Sequence, residues 1–195
     1  MANKNIEMLK TFSKVMRGEE YSTNIILPNS YVKDIYSINY NELYKKGYKY
    51  IVFDIDNTIL PVNDIEVSEA LVTLFKKINK AGFKVCLVSN NKLERVLPVA
   101  TKLDVLYLSD AKKPTREAFD KALKVLDSNI EDTIMVGDQM LTDIKGANEY
   151  GLYSILVDPV DNKYDIKTGT SRILQRKMLK KLKKKNIFHE KSYYK

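Results

Sequence analysis

From Gly47 onward the sequence repeats one arrangement: a short apolar run, a polar loop, then a stretch with apolar residues three and four apart. The runs are YIVFD (50–54), KVCLVS (84–89), VLYLS (105–109), TIMVGD (133–138) and YSILV (153–157). The helical patterns between them are clearest in VSEALVTLFKKINKAG and PTREAFDKALKVLD. Strands without polar alternation are buried on both faces, and a helix between each pair lets successive strands run parallel. The chain therefore reads as α/β, with a central parallel sheet between helical layers. In open sheets of this kind ligands collect beyond the carboxyl ends of the strands, so function is sought in the residues that follow each run.

The first run ends on two carboxylates, Asp54 and Asp56, within DIDNT. SNN (89–91) follows the second, KKP (112–114) lies past the third, and GDQMLTD (137–143) ends the fourth. Asp54, Asp56, Asp138 and Asp143 in one crevice would concentrate negative charge there, which is costly unless a cation neutralises it. Oxygen donors suit Mg2+, while the single histidine, His189, and the single cysteine, Cys86, lie elsewhere, which argues against zinc. A carboxylate beside such a cation can attack phosphorus, so Asp54, fixed by its strand, is the expected nucleophile. Asp56 is placed to protonate the leaving oxygen and then to take a proton from water. Thr58 would orient this loop, Ser89 would hydrogen-bond a phosphoryl oxygen, and Lys113 would offset charge on nucleophile and phosphate. Lys113 is favoured over its rival Lys112 because Pro114 restricts its backbone and a helix follows. Asn57, Asn90, Asn91 and Gln139 shape the loops or touch substrate, and Asn90 is grouped with Thr58, Ser89 and Lys113 as a substrate contact. Any one of these aspartates alone could be a turn former or helix cap, Asp143 above all; four coincident strand ends favour a site.

In order, DIDNT, VSNN, KKP and GDQMLTD resemble motifs I to IV of the haloacid dehalogenase (HAD) superfamily of phosphatases, over roughly 31–157. The resemblance implies a HAD-like Rossmannoid three-layer sandwich and a Mg2+-dependent phosphomonoesterase working through an aspartyl phosphate. It implies Asp54 as nucleophile, Asp56 as acid and base, Ser89 from motif II and Lys113 from motif III. It implies metal held by Asp54, by the backbone carbonyl of Asp56, and by Asp138 with Asp143 in support. Together with the tyrosine-rich PNSYVKDIYSI entry, the motifs look like the YqeG-type subfamily IIIA, which is similar to phosphatases acting on phosphatidylglycerophosphate. That implies an anionic phospholipid substrate; the alternatives are a phosphoprotein, a nucleotide, or a non-enzymatic module that binds RNA or ribosomes.

Only about 25 residues separate Thr58 from the next strand, room for one helix and its loops. No cap domain fits, so the crevice should be open to a phosphate carried on a large surface. The formal net charge is +8, yet residues 172–195 contain ten Lys and Arg against the single acid Glu190, which leaves residues 1–171 close to neutral. The expected organisation is a phosphatase domain over 1–171 and a basic amphipathic tail over 172–195. In SRILQRKMLKKLKKK, Leu174, Met178 and Leu182 form an apolar strip. Two readings follow: the tail lies on an anionic membrane surface, or its strip packs on the body. RNA is a third partner for so much charge, without a motif to support it.

At the other end, Ile6, Leu9, Phe12, Val15 and Met16 suggest an amphipathic helix, and Ser30 reads as a helix cap ahead of YVKDIYSI. No apolar run reaches the ~20 residues that span a bilayer, and the first residues lack a signal-peptide core. The cytoplasm, with peripheral contact at the inner face of the membrane, is the expected location.

Overall fold

The computed structural model describes residues 2–62, 64–161 and 169–194. Six parallel strands form one sheet: β1 (Ser30–Val32), β2 (Tyr50–Phe53), β3 (Lys84–Val88), β4 (Leu106–Leu108), β5 (Thr133–Gly137) and β6 (Tyr153–Val157). Their order is β1-β6-β5-β2-β3-β4. From β2 the chain steps outward through β3 to β4, then crosses to β5 on the other side of β2 and steps outward to β6, beyond which lies β1, the first strand in the chain. The direction reverses between β2 and β5, and in open sheets of this kind such a switch point is where ligands bind, beyond the carboxyl ends.

The strand period of two divides the apolar residues of β2 between two layers. Ile51 and Phe53 face the helices α4 (Glu69–Lys80) and α5 (Leu93–Leu103), meeting Leu71, Phe75, Ile78, Val96 and Val99. Val52 faces the opposite side with Cys86 and Met135, against α6 (Arg116–Leu126) and α7 (Lys145–Tyr150). Cys86 is thus a core residue, and burial pushes its thiol up to about 12. Ser68 starts α4 by accepting a bond from the Leu71 amide at 3.2 Å. Residues 54–68 connect β2 to α4 and residues 89–92 connect β3 to α5. Among the described residues no cap domain is inserted, in line with the spacing.

A third apolar cluster joins α1 (Ala2–Arg17) to the C-terminal helix α8 (Gly169–Lys184). Leu174, Met178 and Leu182 are buried there against Met8 and Val15, so the apolar strip of the tail packs on the body. Each such side chain contributes roughly 1.5–3 kcal/mol by leaving water. Contact with α8 also sets which face of α1 is inward: Met8 and Val15 are buried, whereas Ile6, Leu9 and Met16, expected inside, are exposed.

One local expectation is overturned. Ser30 does not cap a helix; it opens β1, and only the short 3-10 turn Ile35–Ser37 follows. The backbone of β1 finds better partners in a strand: β6 on one side and, on the other, Tyr194, whose amide and carbonyl both bond Tyr31 at 2.8 and 2.7 Å. Between β1 and β2 lies α3 (Tyr40–Lys45), capped by Asn39, and a further short helix, α2 (Glu20–Asn24), precedes β1.

Candidate active site

Asp54 directly follows β2 and Asp138 directly follows β5, so the two carboxylates flank the switch point, and the Asp54 amide bonds the Val136 carbonyl at 2.9 Å. Asp143 joins them through an unusual turn. Residues Met140–Ile144 form a π-helical turn in which the Ile144 amide reaches back to the Gln139 carbonyl at 3.2 Å, a geometry that recurs at functional sites. It aims the Asp143 side chain at the base of β5, where Oδ2 accepts from the Gln139 amide at 3.1 Å. Gly137 leaves the necessary space: a Cβ there would lie 2.4 Å from that of Asp143. Asp54, Asp138 and Asp143 each offer an oxygen within 4.8 Å of the others, and all are buried.

Lys113 closes the group. Its Nζ lies 2.6 Å from Asp54 Oδ1 and 2.8 Å from Asp143 Oδ1, with the side chain almost fully buried. Lys112, the rival, has φ of +64° and is exposed. The Lys113–Pro114 peptide is cis, and Asn90 grips the same segment: its Oδ1 accepts from the Lys113 amide at 2.6 Å and its Nδ2 donates to the Lys113 carbonyl at 3.2 Å. Asn90 thus positions the lysine. Thr58 donates to Asp54 Oδ2 at 3.1 Å. Ser89 is buried at the end of β3, next to β2, and its Oγ accepts from the Asn91 amide at 3.1 Å.

Asp56 has a different setting. It stands outside the three-carboxylate cluster, with one oxygen on Arg95 at 2.9 Å and the other on the Asn91 side chain. Arg95 also donates to the Pro61 carbonyl at 3.1 Å, tying the loop to the first turn of α5. Burial raises the pKa of Asp56 while Arg95 opposes the shift.

The electrostatics of the cluster are unbalanced. Among the described residues, three carboxylates face Lys113 and one further cation, Arg172 of α8, whose guanidinium pairs with Asp138 Oδ2. Burial pushes Asp54 up to about 6 against the pull of Lys113, and Asp138 up to about 8 against the pull of Arg172. Burial alone would lower Lys113, but Asp143 and Asp54 outweigh it and its pKa is raised. Asp138 Oδ1 is buried without a hydrogen-bond partner among the described residues. An orphaned carboxylate oxygen in an all-oxygen cluster short of positive charge fits a hard divalent cation. Asp54, Asp138 and Asp143 are the residues that could hold it.

The structure thus brings Asp54, Thr58, Lys113, Asp138 and Asp143 together, with Ser89 and Asn90 on the adjoining loops. Three participants were not anticipated. Arg95 lies four residues beyond Asn91, on the helix that SNN introduces, and that proximity was the available hint. Arg172 and Gln175 had none: Gln175 accepts from the Met140 amide at 3.0 Å, and its Nε2 donates to the Asp138 carbonyl at 3.4 Å, contacts spanning more than thirty residues.

A parallel sheet with a buried acidic cluster at its switch point is an arrangement that could hold a cation and act on a phosphoryl group, and comparison with known proteins gives the class. A family described as haloacid dehalogenase-like hydrolase matches residues 51–111, and one described as HAD-hydrolase-like matches residues 111–168. The chain is 34% identical over 159 residues to the "Probable phosphatase YqeG" of Bacillus subtilis (strain 168), covering 82% of this chain and 92% of that one. It is 28% identical over 170 residues to the chloroplastic and mitochondrial phosphatidylglycerophosphate phosphatase 1 of Arabidopsis thaliana, covering 80% of this chain and 47% of that longer protein. Among solved structures, the 3-deoxy-D-manno-octulosonate 8-phosphate phosphatase of Moraxella catarrhalis is 18% identical, covering 62% of this chain and 75% of that one, with a TM-score of 0.46. The chain belongs to the HAD phosphatases, of the YqeG type. It is a phosphoric monoester hydrolase.

Proposed function

We propose that the protein is a Mg2+-dependent phosphomonoesterase that works through an aspartyl phosphate on Asp54 and acts on phosphatidylglycerophosphate. The observation that carries the chemistry is the contact of Asp54 with Lys113 inside a buried acidic cluster. Lys113 keeps the nucleophile ionised and oriented, and Thr58 fixes its other oxygen. Asp54 attacks phosphorus, forming a P–O bond to its carboxylate as the bond to the leaving alkoxide breaks, and Asp56 gives that alkoxide its proton. The raised pKa of Asp56 favours the protonated form this step requires. Asp56 then accepts a proton from water, whose oxygen attacks the acyl phosphate and frees inorganic phosphate and Asp54. Mg2+, held by Asp54, Asp138, Asp143 and the Asp56 backbone carbonyl, would neutralise charge on nucleophile and phosphoryl group. Ser89 would bind a phosphoryl oxygen.

The phospholipid substrate is supported by the name of the Arabidopsis relative and by the lack of a cap among the described residues, which would leave the strand ends open to a headgroup at a surface. The cationic face of α8, with Lys177, Lys180 and Lys184 exposed, suits an anionic bilayer at about 1 kcal/mol per charge. Because the apolar strip is already buried, such contact would be electrostatic and salt-sensitive. Among the described residues no helix is long and apolar enough to cross a membrane.

The test is a substrate panel with and without EDTA: an aryl phosphate, phosphatidylglycerophosphate in vesicles, a phosphopeptide and a nucleotide. Metal-dependent turnover highest on the vesicles supports the proposal. Preference for the peptide or nucleotide would remove the lipid assignment, and no turnover alongside RNA binding would favour the non-enzymatic module.

A further inference from the structure

Arg172 lies 34 residues beyond Asp138 in sequence, on a helix that carries none of the four motifs, yet it reaches the centre of the site. Its guanidinium hydrogen-bonds one oxygen of Asp138, Oδ2; the other, Oδ1, is buried and has no hydrogen-bond partner among the described residues. One oxygen is fixed and the other is presented. Gln175, one turn further along the same face of α8, holds the backbone on both sides of Gln139 through the Asp138 carbonyl and the Met140 amide. Arg172 also touches the nucleophile loop: with the Asn57 amide turned to satisfy both neighbours, its oxygen accepts from Arg172 at 3.3 Å and its nitrogen donates to the Asp161 carbonyl at 3.1 Å. The same asparagine receives the Val160 amide at 2.9 Å. The first turns of α8 therefore brace the loops that carry Asp54 and Asp138 against each other.

We propose that Arg172 is a positioning residue for the metal centre: it clamps Asp138 Oδ2 so that Oδ1 is aimed at the ion, with Gln175 fixing the backbone beneath. The inference rests on the reading of Asp54, Asp138 and Asp143 as metal ligands. A partner of a metal-ligating side chain sets its orientation, and removing one typically weakens metal binding 10- to 100-fold. Here the partner is itself a cation, which raises the electrostatic cost of binding the ion; the proposal is that orientation outweighs repulsion. The helix thought of as a separate basic tail thereby becomes part of the catalytic domain.

Isothermal titration of Mg2+ into the substrate-free full-length protein, with Mn2+ as a second probe, tests this. Arg172→Met should weaken metal binding about 10- to 100-fold, Arg172→Lys should recover part of the loss, and kcat at saturating Mg2+ should fall much less than the affinity. A merely structural arginine would lower the melting temperature and leave the metal dissociation constant alone. Affinity for Arg172→Met within twofold of wild type, or tighter than wild type, overturns the proposal. Should that variant not fold, hydrogen exchange on the wild type serves: Mg2+ should slow exchange over residues 172–178, and equal exchange with and without the ion counts against the clamp. Metal binding by wild type with no effect of the variant sinks this inference alone; no metal binding by wild type sinks the functional reading with it.

Discussion

Asp54 and Asp56 are separated by one residue and live in opposite electrostatic settings. Asp54 sits in a buried cluster of three carboxylates served, among the described residues, by Lys113 and Arg172, a group with less positive charge than negative. Asp56 is satisfied already, one oxygen on Arg95 and the other on Asn91. The difference follows from the strand end. Asp54 continues the line of β2, whereas the chain then turns through Ile55 and through Asn57, whose φ is +63°, so the second carboxylate leaves the sheet axis and meets α5. One short motif thus supplies a carboxylate in a cluster short of counter-charge and a carboxylate that has its own counter-ion. The roles proposed above for Asp54 and Asp56, nucleophile and proton carrier, require just this difference.

The contrast can be broken most severely at Asp54. Asp54→Asn should lower kcat on an aryl phosphate by about 10^4-fold or more, while the metal-free protein keeps or raises its melting temperature because one crowded charge is gone. Next in size, Asp56→Asn should cost about 10^2- to 10^4-fold and leave Mg2+ affinity near the wild-type value, since its side chain lies outside the cluster. Unchanged metal binding in titration calorimetry together with trapped phosphoenzyme would sharpen the division of labour. A smaller effect, on the order of tenfold, is expected for Arg95→Ala. Arg95 holds the pKa of Asp56 down against burial, so the kcat limb reporting Asp56 should move to higher pH in that variant; an unmoved limb would mean that Arg95 does not govern the acid.

The smallest expected effect is on stability. Asp54 and Asp138 hold their protons more tightly when folded, at about 6 and about 8 against 3.8 for the free group. Their stabilisation is complete below 3.8 and is lost as pH rises through the folded values. In EDTA the melting temperature should therefore fall by several degrees between pH 5 and pH 8. Asp138→Asn should flatten that slope, as should Mg2+, which favours the ionised cluster.

How much of this was legible in the sequence depends on distance along the chain. Alternating runs and helices gave the sheet, and the strand-end motifs gave Asp54, Lys113, Asp138 and Asp143, because each motif is local and the parallel fold brings strand ends together. The edge strand β1 was misread, since three residues carry no periodicity and its partners, β6 and Tyr194, lie more than a hundred residues away. Arg172 was invisible for the same reason: no spacing rule links a helix after the last strand to the loop after β5. The π-helical turn at Met140–Ile144 was likewise hidden, because its geometry follows from the packing of Met140, Leu141 and Ile144 against α1 and α8.

The two ends of the sheet also differ. At β1 the chain lays its own Tyr194 along the margin, reinforced by Tyr31, Tyr193 and Phe188, whose rings meet at 5.0 to 5.2 Å. At β4 the margin carries the part-exposed Leu106 and Tyr107 and, among the described residues, no further strand. A ribbon sealed on one side can add a neighbour only on the other. Self-association through strand pairing would therefore stop at a closed pair and never propagate into a fibre.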